Sequence, residues 1–230
     1  MRTTRLIAAF VLLWAPVLYG QFSFEKKLIE LDVPPETDRL SVEFSFTIKG
    51  EGAVTIKEYE SGCSCLSAEI SEGGKLTWKP GEKGVVKGNF KLGTIKGTIE
   101  KEIVLRISGE LSPIRLKVRL HIPELFKIEP PTLFWDLNGP GKAQTFKVMV
   151  KHSKPIKITN IACTNEQFAY EVKTLVEGQS YEVKVTPKTV AQRAFGLLRI
   201  RNDCEFKKHQ SAQAFMVVRT PKVQPIPKKP

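Results

Sequence analysis

Apolar and polar residues alternate with a period of two along much of this chain. Leu40, Val42, Phe44, Phe46 and Ile48 take every second position, with Ser, Glu, Ser and Thr between them. Successive side chains of a strand point to opposite faces, so this pattern predicts a strand with one buried and one wet face. Gly50-Glu51-Gly52 then turns the chain into Val54 and Ile56. Further strands are expected at Leu76–Trp78, Val85–Phe90, Ile99–Ile107 and Ile114–Leu120. The last two are joined by the hairpin-like Ser108-Gly109-Glu110-Leu111-Ser112-Pro113. No stretch sustains the 3.6-residue apolar period of a helix, so the chain is read as all-β.

The pattern also repeats. One constant shift lays Phe44 on Phe146, Phe46 on Val148, Ile48 on Val150, Val54 on Ile156 and Ile56 on Ile158. The same shift lays Leu66 on Phe168, Ala68 on Tyr170 and Ile70 on Val172. A slightly larger shift places Trp78 on Val185 and Pro80 on Pro187. Each half then holds about seven short strands in roughly 95 residues, the rhythm of an immunoglobulin-like sandwich. The expected fold is all-β, a tandem of two immunoglobulin-like β-sandwich domains at residues 21–122 and 123–218. Pro123, Pro130 and Pro131 mark a short, stiff junction. Trp78 and Trp135 lie in apolar, strand-like segments and are read as core residues rather than sugar-stacking platforms.

The ends carry different signals. Arg2 and Arg5 precede an uncharged apolar run from Leu6 to Leu18, and Gly20 precedes polar sequence from Gln21. That is the organisation of a secretory signal peptide at 1–20. The run falls short of the roughly 20 residues of a comfortable membrane span. Export to the periplasm, the cell surface or the medium is expected, with membrane contact only if this segment stays uncleaved. Residues 219–230, rich in Pro and Lys, cannot bury a core and read as a disordered tail.

The net charge of +12 favours anionic partners such as an acidic envelope polymer, a lipid headgroup surface or nucleic acid. The expected partner is an envelope protein or an anionic polymer. The charge is spread along strands, as in Ile114-Arg115-Leu116-Lys117-Val118-Arg119-Leu120, which describes a solvated sheet face. Glu100 and Glu102, with Lys101 between them, read the same way. Export and the lack of any recognition motif argue against nucleic acid. No phosphate loop, metalloprotease helix or nucleophile elbow occurs, so no enzyme and no cofactor are expected.

The candidate chemistry rests on four cysteines, Cys63, Cys65, Cys163 and Cys204. In an exported chain they are disulfide candidates. The simplest scheme pairs Cys63 with Cys65 and Cys163 with Cys204. Strand parity opposes the second bridge: Cys163 would end a third strand and Cys204 a sixth, at opposite ends of one sandwich. A bridge between the domains, from Cys204 to Cys63 or Cys65, is the rival. Cys63 and Cys65 are also weak metal candidates for Cu(I), or a redox pair. Glu58 and Glu60 would disfavour a thiolate, and His121, His152 and His209 lie at no ligand spacing from the pair.

These residues also carry a family resemblance. Phe44-Ser45-Phe46-Thr47-Ile48-Lys49-Gly50, then Val54-Thr55-Ile56, Cys63-Ser64-Cys65 and Pro80-Gly81-Glu82-Lys83-Gly84, resembles the bacterial DUF1573 family over roughly Leu40–Leu120. The resemblance implies an immunoglobulin-like fold similar to major-sperm-protein domains and no established activity. Ser64 stands where that pattern has Gly, and the second half, with Pro187-Lys188 and no paired cysteines, reads as a diverged copy. The function expected from all this is a non-catalytic exported binding or scaffold protein of the envelope. The alternative is a thiol-dependent redox or Cu(I)-binding protein using Cys63 and Cys65.

Overall fold

The computed structural model describes residues 20–221. The expected signal peptide, apart from Gly20, and the tail beyond Pro221 lie outside the described residues. The described chain is all-β, with two short 3-10 turns at Glu72–Gly74 and Lys207–His209. The first half folds into β1 (Gln21–Phe24), β2 (Leu28–Asp32), β3 (Arg39–Lys49), β4 (Val54–Ser61), β5 (Leu66–Ile70), β6 (Thr77–Trp78), β7 (Lys83–Lys91), β8 (Gly97–Ile107) and β9 (Ile114–Ile122). The second half supplies β10 (Phe126–Glu129), β11 (Thr132–Asp136), β12 (Gln144–Val150), β13 (Ile158–Cys163), β14 (Phe168–Val176), β15 (Ser180–Pro187), β16 (Ala194–Asn202) and β17 (Ser211–Arg219).

The two halves share one topology. The first pairs its strands as β1-β3-β7-β5 and β2-β9-β8-β4-β6; the second as β10-β12-β15-β14 and β11-β17-β16-β13. Apart from β6 the orders correspond strand for strand, and both are the two-sheet order of an immunoglobulin-like sandwich. Each half opens with a strand broken in two, one piece for each sheet. In the second half the break falls at Pro130 and Pro131, and the Glu129–Pro130 peptide is cis. The pieces are only 4 or 5 residues long, which is why alternation did not separate them.

The repeat holds at β3 and β12, where Phe44 and Phe146 are both fully buried. It fails at Trp78. That residue sits on β6 opposite Val54, whereas Val185 sits on β15 opposite Gln144. Val86 faces Phe44 as Val183 faces Phe146, so Val86 is the true counterpart of Val183. The first half has inserted a 3-10 turn and β6 before this strand, and one offset cannot span an insertion.

By internal contacts the described chain forms two compact units. One holds the described residues up to Ile29 with Arg39–Lys91 and Glu100–Arg119. The other holds Glu30–Asp38, Leu92–Ile99 and the chain from Leu120 onward. The second unit thus comprises a sandwich and two segments from earlier in the chain. Its sandwich core is continuous, with Trp135, Phe146, Phe168, Tyr181, Leu198 and Met216 among its buried members. Both tryptophans expected in cores are there: Trp78 is 4% and Trp135 3% exposed.

Candidate functional site

A hollow lined by three lysines lies in the second unit. A cavity of about 490 Å³ is lined by Lys96, Lys207 and Lys208, with Thr94, Ser211 and Gln213 adding hydroxyl and amide groups. Glu124 is the carboxylate on its wall. Lys96 is half-buried and makes no ion pair among the described residues, and burial holds its ammonium below the usual lysine value, opposed by Glu124. Burial lowers Lys208 in the same way, while its Nζ donates to the Thr37 carbonyl at 3.0 Å. Asp38 opposes that effect at Lys208 as Glu124 does at Lys96, and half-buried ammonium groups of this kind gain from an incoming anion.

The lysines are positioned by the β16–β17 connection. Asn202, at the end of β16, donates from Nδ2 to the His209 carbonyl at 3.0 Å and accepts from the Cys204 N–H at 3.0 Å. Gln210 Nε2 closes the loop on the Cys204 carbonyl at 2.8 Å. His209 is fully buried, with Nε2 against the Pro35 carbonyl at 3.1 Å. Burial first, then the Lys96 charge, hold its pKa below the usual histidine value and keep the ring neutral. Nε2 must then donate to Pro35, which leaves Nδ1 a buried acceptor with no partner among the described residues.

The four cysteines divide. Cys63 and Cys65 are joined by a disulfide, with Cα atoms 5.3 Å apart. They occupy the turn that carries the chain from β4 in one sheet to β5 in the other. The Ser61 hydroxyl donates to the Leu66 carbonyl across the turn, and the Lys91 N–H donates to the Cys65 carbonyl at 2.9 Å. Cys163 and Cys204 are free thiols, Cys163 half-buried and Cys204 buried in the second core. The bridge between them, entertained from sequence, does not form. Ile158 pairs with Asn202 and Cys163 with Leu198, so the two cysteines sit at opposite ends of the β13–β16 pair. At about 3.3 Å per residue that separates them by roughly 15–20 Å, far beyond disulfide reach. The rival bridge from Cys204 is likewise absent, because Cys63 and Cys65 are bonded to each other. While that bond stands, neither sulfur is available as a thiolate for metal or exchange.

A bridge closing so short a loop contributes little entropy, roughly 1–2 kcal/mol in the chain-entropy model. The Cys63→Ala, Cys65→Ala double variant is therefore expected to keep its β-sheet circular dichroism and lose about that much stability in urea. Collapse of the fold would contradict a local staple.

Beyond this turn, Lys79-Pro80-Gly81-Glu82 reverses the chain into β7. The Glu82 N–H donates to the Lys79 carbonyl at 3.1 Å, and Gly81 has φ +80°, as a type II turn requires. Glu82 Oε2 accepts from Lys75 Nζ and from the Lys79 N–H, each at 2.8 Å; these bonds, Lys75 first, lower the Glu82 pKa. Trp78 then packs edge-on against Phe46 at 5.0 Å, directly over Gly84. The Pro-Gly turn and the glycine beneath the tryptophan thus lie at the start of β7, and the paired-cysteine turn is bonded to its far end at Lys91.

Residues 22–122 match DUF1573, a family of unknown function. No curated protein sequence matches the chain significantly. Among solved structures, a protein of unknown function from Porphyromonas gingivalis W83 shares 9% identity, with 86% of this chain and 98% of that one covered and a TM-score of 0.34. The YadV chaperone shares 10% identity over 85% of this chain and 98% of its own, with a TM-score of 0.31. The titin tandem A164-A165 shares 9% over 86% and 96%, with a TM-score of 0.31. Likenesses at these scores assign neither activity nor partner.

In the DUF1573 half the charged face follows the solvated pattern expected of it. Lys117 and Arg119 bond Glu100 at 3.3 and 2.8 Å, Arg115 pairs with Glu102, and Arg106 with Glu58 at 3.2 Å. His121 hydrogen-bonds Glu30, and His152 hydrogen-bonds Glu205. Among the described residues no three His, Cys, Asp or Glu side chains converge as a metal site. The lysine cavity was not visible in the sequence, because Lys96 and Lys207 are far apart in the chain and neither belongs to a motif. The only local hint was the basic run Lys207-Lys208-His209.

Proposed function

We propose that this chain is a non-catalytic, exported binding or scaffold protein of the cell envelope. Its ligand is an anionic envelope polymer, whose acidic groups seat among Lys96, Lys207 and Lys208. The observation that carries this is the cavity itself: three lysines, Lys96 and Lys208 half-buried and Lys207 exposed, around a hollow with one carboxylate on its wall. Multiple weak charge contacts of this kind suit a repeating polyanion, because each added phosphate or carboxylate finds another donor nearby. The thiol alternative has less support, since Cys63 and Cys65 are bonded to each other.

Titration with polyphosphate and with polyglutamate, at rising salt, tests the proposal. Binding should weaken as salt rises. Lys96→Gln combined with Lys207→Gln, which removes no hydrogen bond seen in the fold, should weaken binding at least about ten-fold, or ~1.4 kcal/mol. Undiminished binding by that variant would reject the cavity as the site.

A further inference from the structure

The outer face of β11, β17 and β16 is apolar where the matching face of the DUF1573 half is ionic. Register places Phe134 beside Val217, Val217 beside Phe195, and Phe215 beside Leu197. These five side chains form one contiguous patch across three strands. Phe134 is 43%, Phe195 59% and Phe215 36% exposed, although their chain neighbours Trp135 and Met216 are buried in the core. Phe195 and Phe215 lie ring to ring at 5.9 Å. Strands this apolar on both faces are made to be covered on both.

Guanidinium groups rim the patch. Arg219 lies over the Phe134 ring at 3.8 Å, and Arg193 donates to the Thr220 hydroxyl at 2.9 Å. Arg199 and Arg201 stand opposite Gln213 and Ser211, further along the same face. Among the described residues none of these four arginines has an ion pair, whereas Arg106, Arg115 and Arg119 of the first half all do. Asp136, opposite Arg219 in register, is the carboxylate at the rim.

We infer that this face docks on a lipid bilayer surface that carries anionic headgroups. The apolar patch would enter the headgroup boundary while the arginines take lipid phosphates, for which a planar, permanently charged fork is suited. The rim chemistry decides the occupant. Unneutralised guanidiniums around an apolar centre complement a surface that is anionic outside and apolar beneath. A second copy of the chain would bring arginines against arginines. Phenylalanine, without a polar tip, offers nothing to sugar hydroxyls. The inference goes beyond the polyanion reading, and it provides a membrane contact that does not depend on the N-terminal segment.

Hydroxyl-radical footprinting of the full chain on vesicles tests it, because the label reports on the rings themselves whatever the N-terminal segment does. With vesicles of equal parts phosphatidylglycerol and phosphatidylcholine, labelling of Phe195 and Phe215 should fall at least five-fold. With phosphatidylcholine alone it should change little. The Arg199→Gln, Arg201→Gln variant, with its circular dichroism unchanged, should lose most of that protection. Rings that stay labelled on phosphatidylglycerol vesicles would overturn the inference. So would protection that ignores lipid charge or both arginines. Protection by a purified acidic protein, with vesicles leaving the rings exposed, would assign the face to a protein instead.

Discussion

Gly84→Ala is expected to destabilise the DUF1573 half by roughly 1–3 kcal/mol, the range for overpacking a well-filled core. A Cβ at this position would stand 2.5 Å from the Phe46 ring and 2.6 Å from the Trp78 ring. Neither ring can move freely. Phe46 is 1% exposed and also packs on Phe22 at 4.8 Å, and Trp78 is closed off by Lys75 above its face at 4.7 Å. Gly81→Ala is the instructive contrast. Nothing lies within 4 Å of a Cβ there, so its cost is conformational, from φ +80°, and should be about 1 kcal/mol. Urea unfolding followed by tryptophan fluorescence separates the two. A Gly84→Ala midpoint equal to that of the unsubstituted chain would show that the rings are not closely packed over this strand.

Asn202→Ala should cost roughly 2–4 kcal/mol, because the Cys204 N–H and the His209 carbonyl both lose their partner in a buried setting. The backbone of Asn202 also donates to the Gln210 carbonyl at 3.0 Å, so this residue organises the whole β16–β17 connection. Lys207 and Lys208 ride on that connection. The variant should therefore bind polyphosphate more weakly than its remaining folded fraction explains. Asn202→Asp keeps the acceptor for Cys204 but has no donor for His209, so it should fall between the two. A loss of stability under 0.5 kcal/mol for Asn202→Ala would mean that the loop is held by other contacts.

Where alternation was strict, the fold was legible. Strands β3 and β9 could be read directly, because each has one apolar face. Strand β8 was legible from its apolar run, even though Ile103, Val104 and Leu105 are buried in succession. The tandem of two immunoglobulin-like sandwiches followed from the repeat. Strand parity also correctly set Cys163 and Cys204 apart, since direction alternates from strand to strand whatever the loops do. What stayed hidden depends on residues brought together across the sequence. Phe134, Phe195 and Phe215 each sit beside core residues of opposite parity, so the local pattern reads only as generally apolar. Leu133-Phe134-Trp135, Ala194-Phe195-Gly196-Leu197-Leu198 and Ala214-Phe215-Met216-Val217-Val218 carry the sequence trace of the patch, two parities apolar at once. The lysine cavity left only the basic run Lys207-Lys208-His209 as a trace, because its walls come from distant segments.

The parallel pairing of β11 with β17 has a mechanical consequence. The chain enters β11 at Thr132 and leaves β17 at Arg219, and Thr132↔Phe215 through Asp136↔Arg219 form the register. Tension applied through the two ends would drag these strands past each other lengthwise. Their hydrogen bonds would then be loaded together in shear instead of opening one after another like a zipper. A domain tethered at both ends would resist stretching through this one strand pair, and would yield abruptly once it slipped.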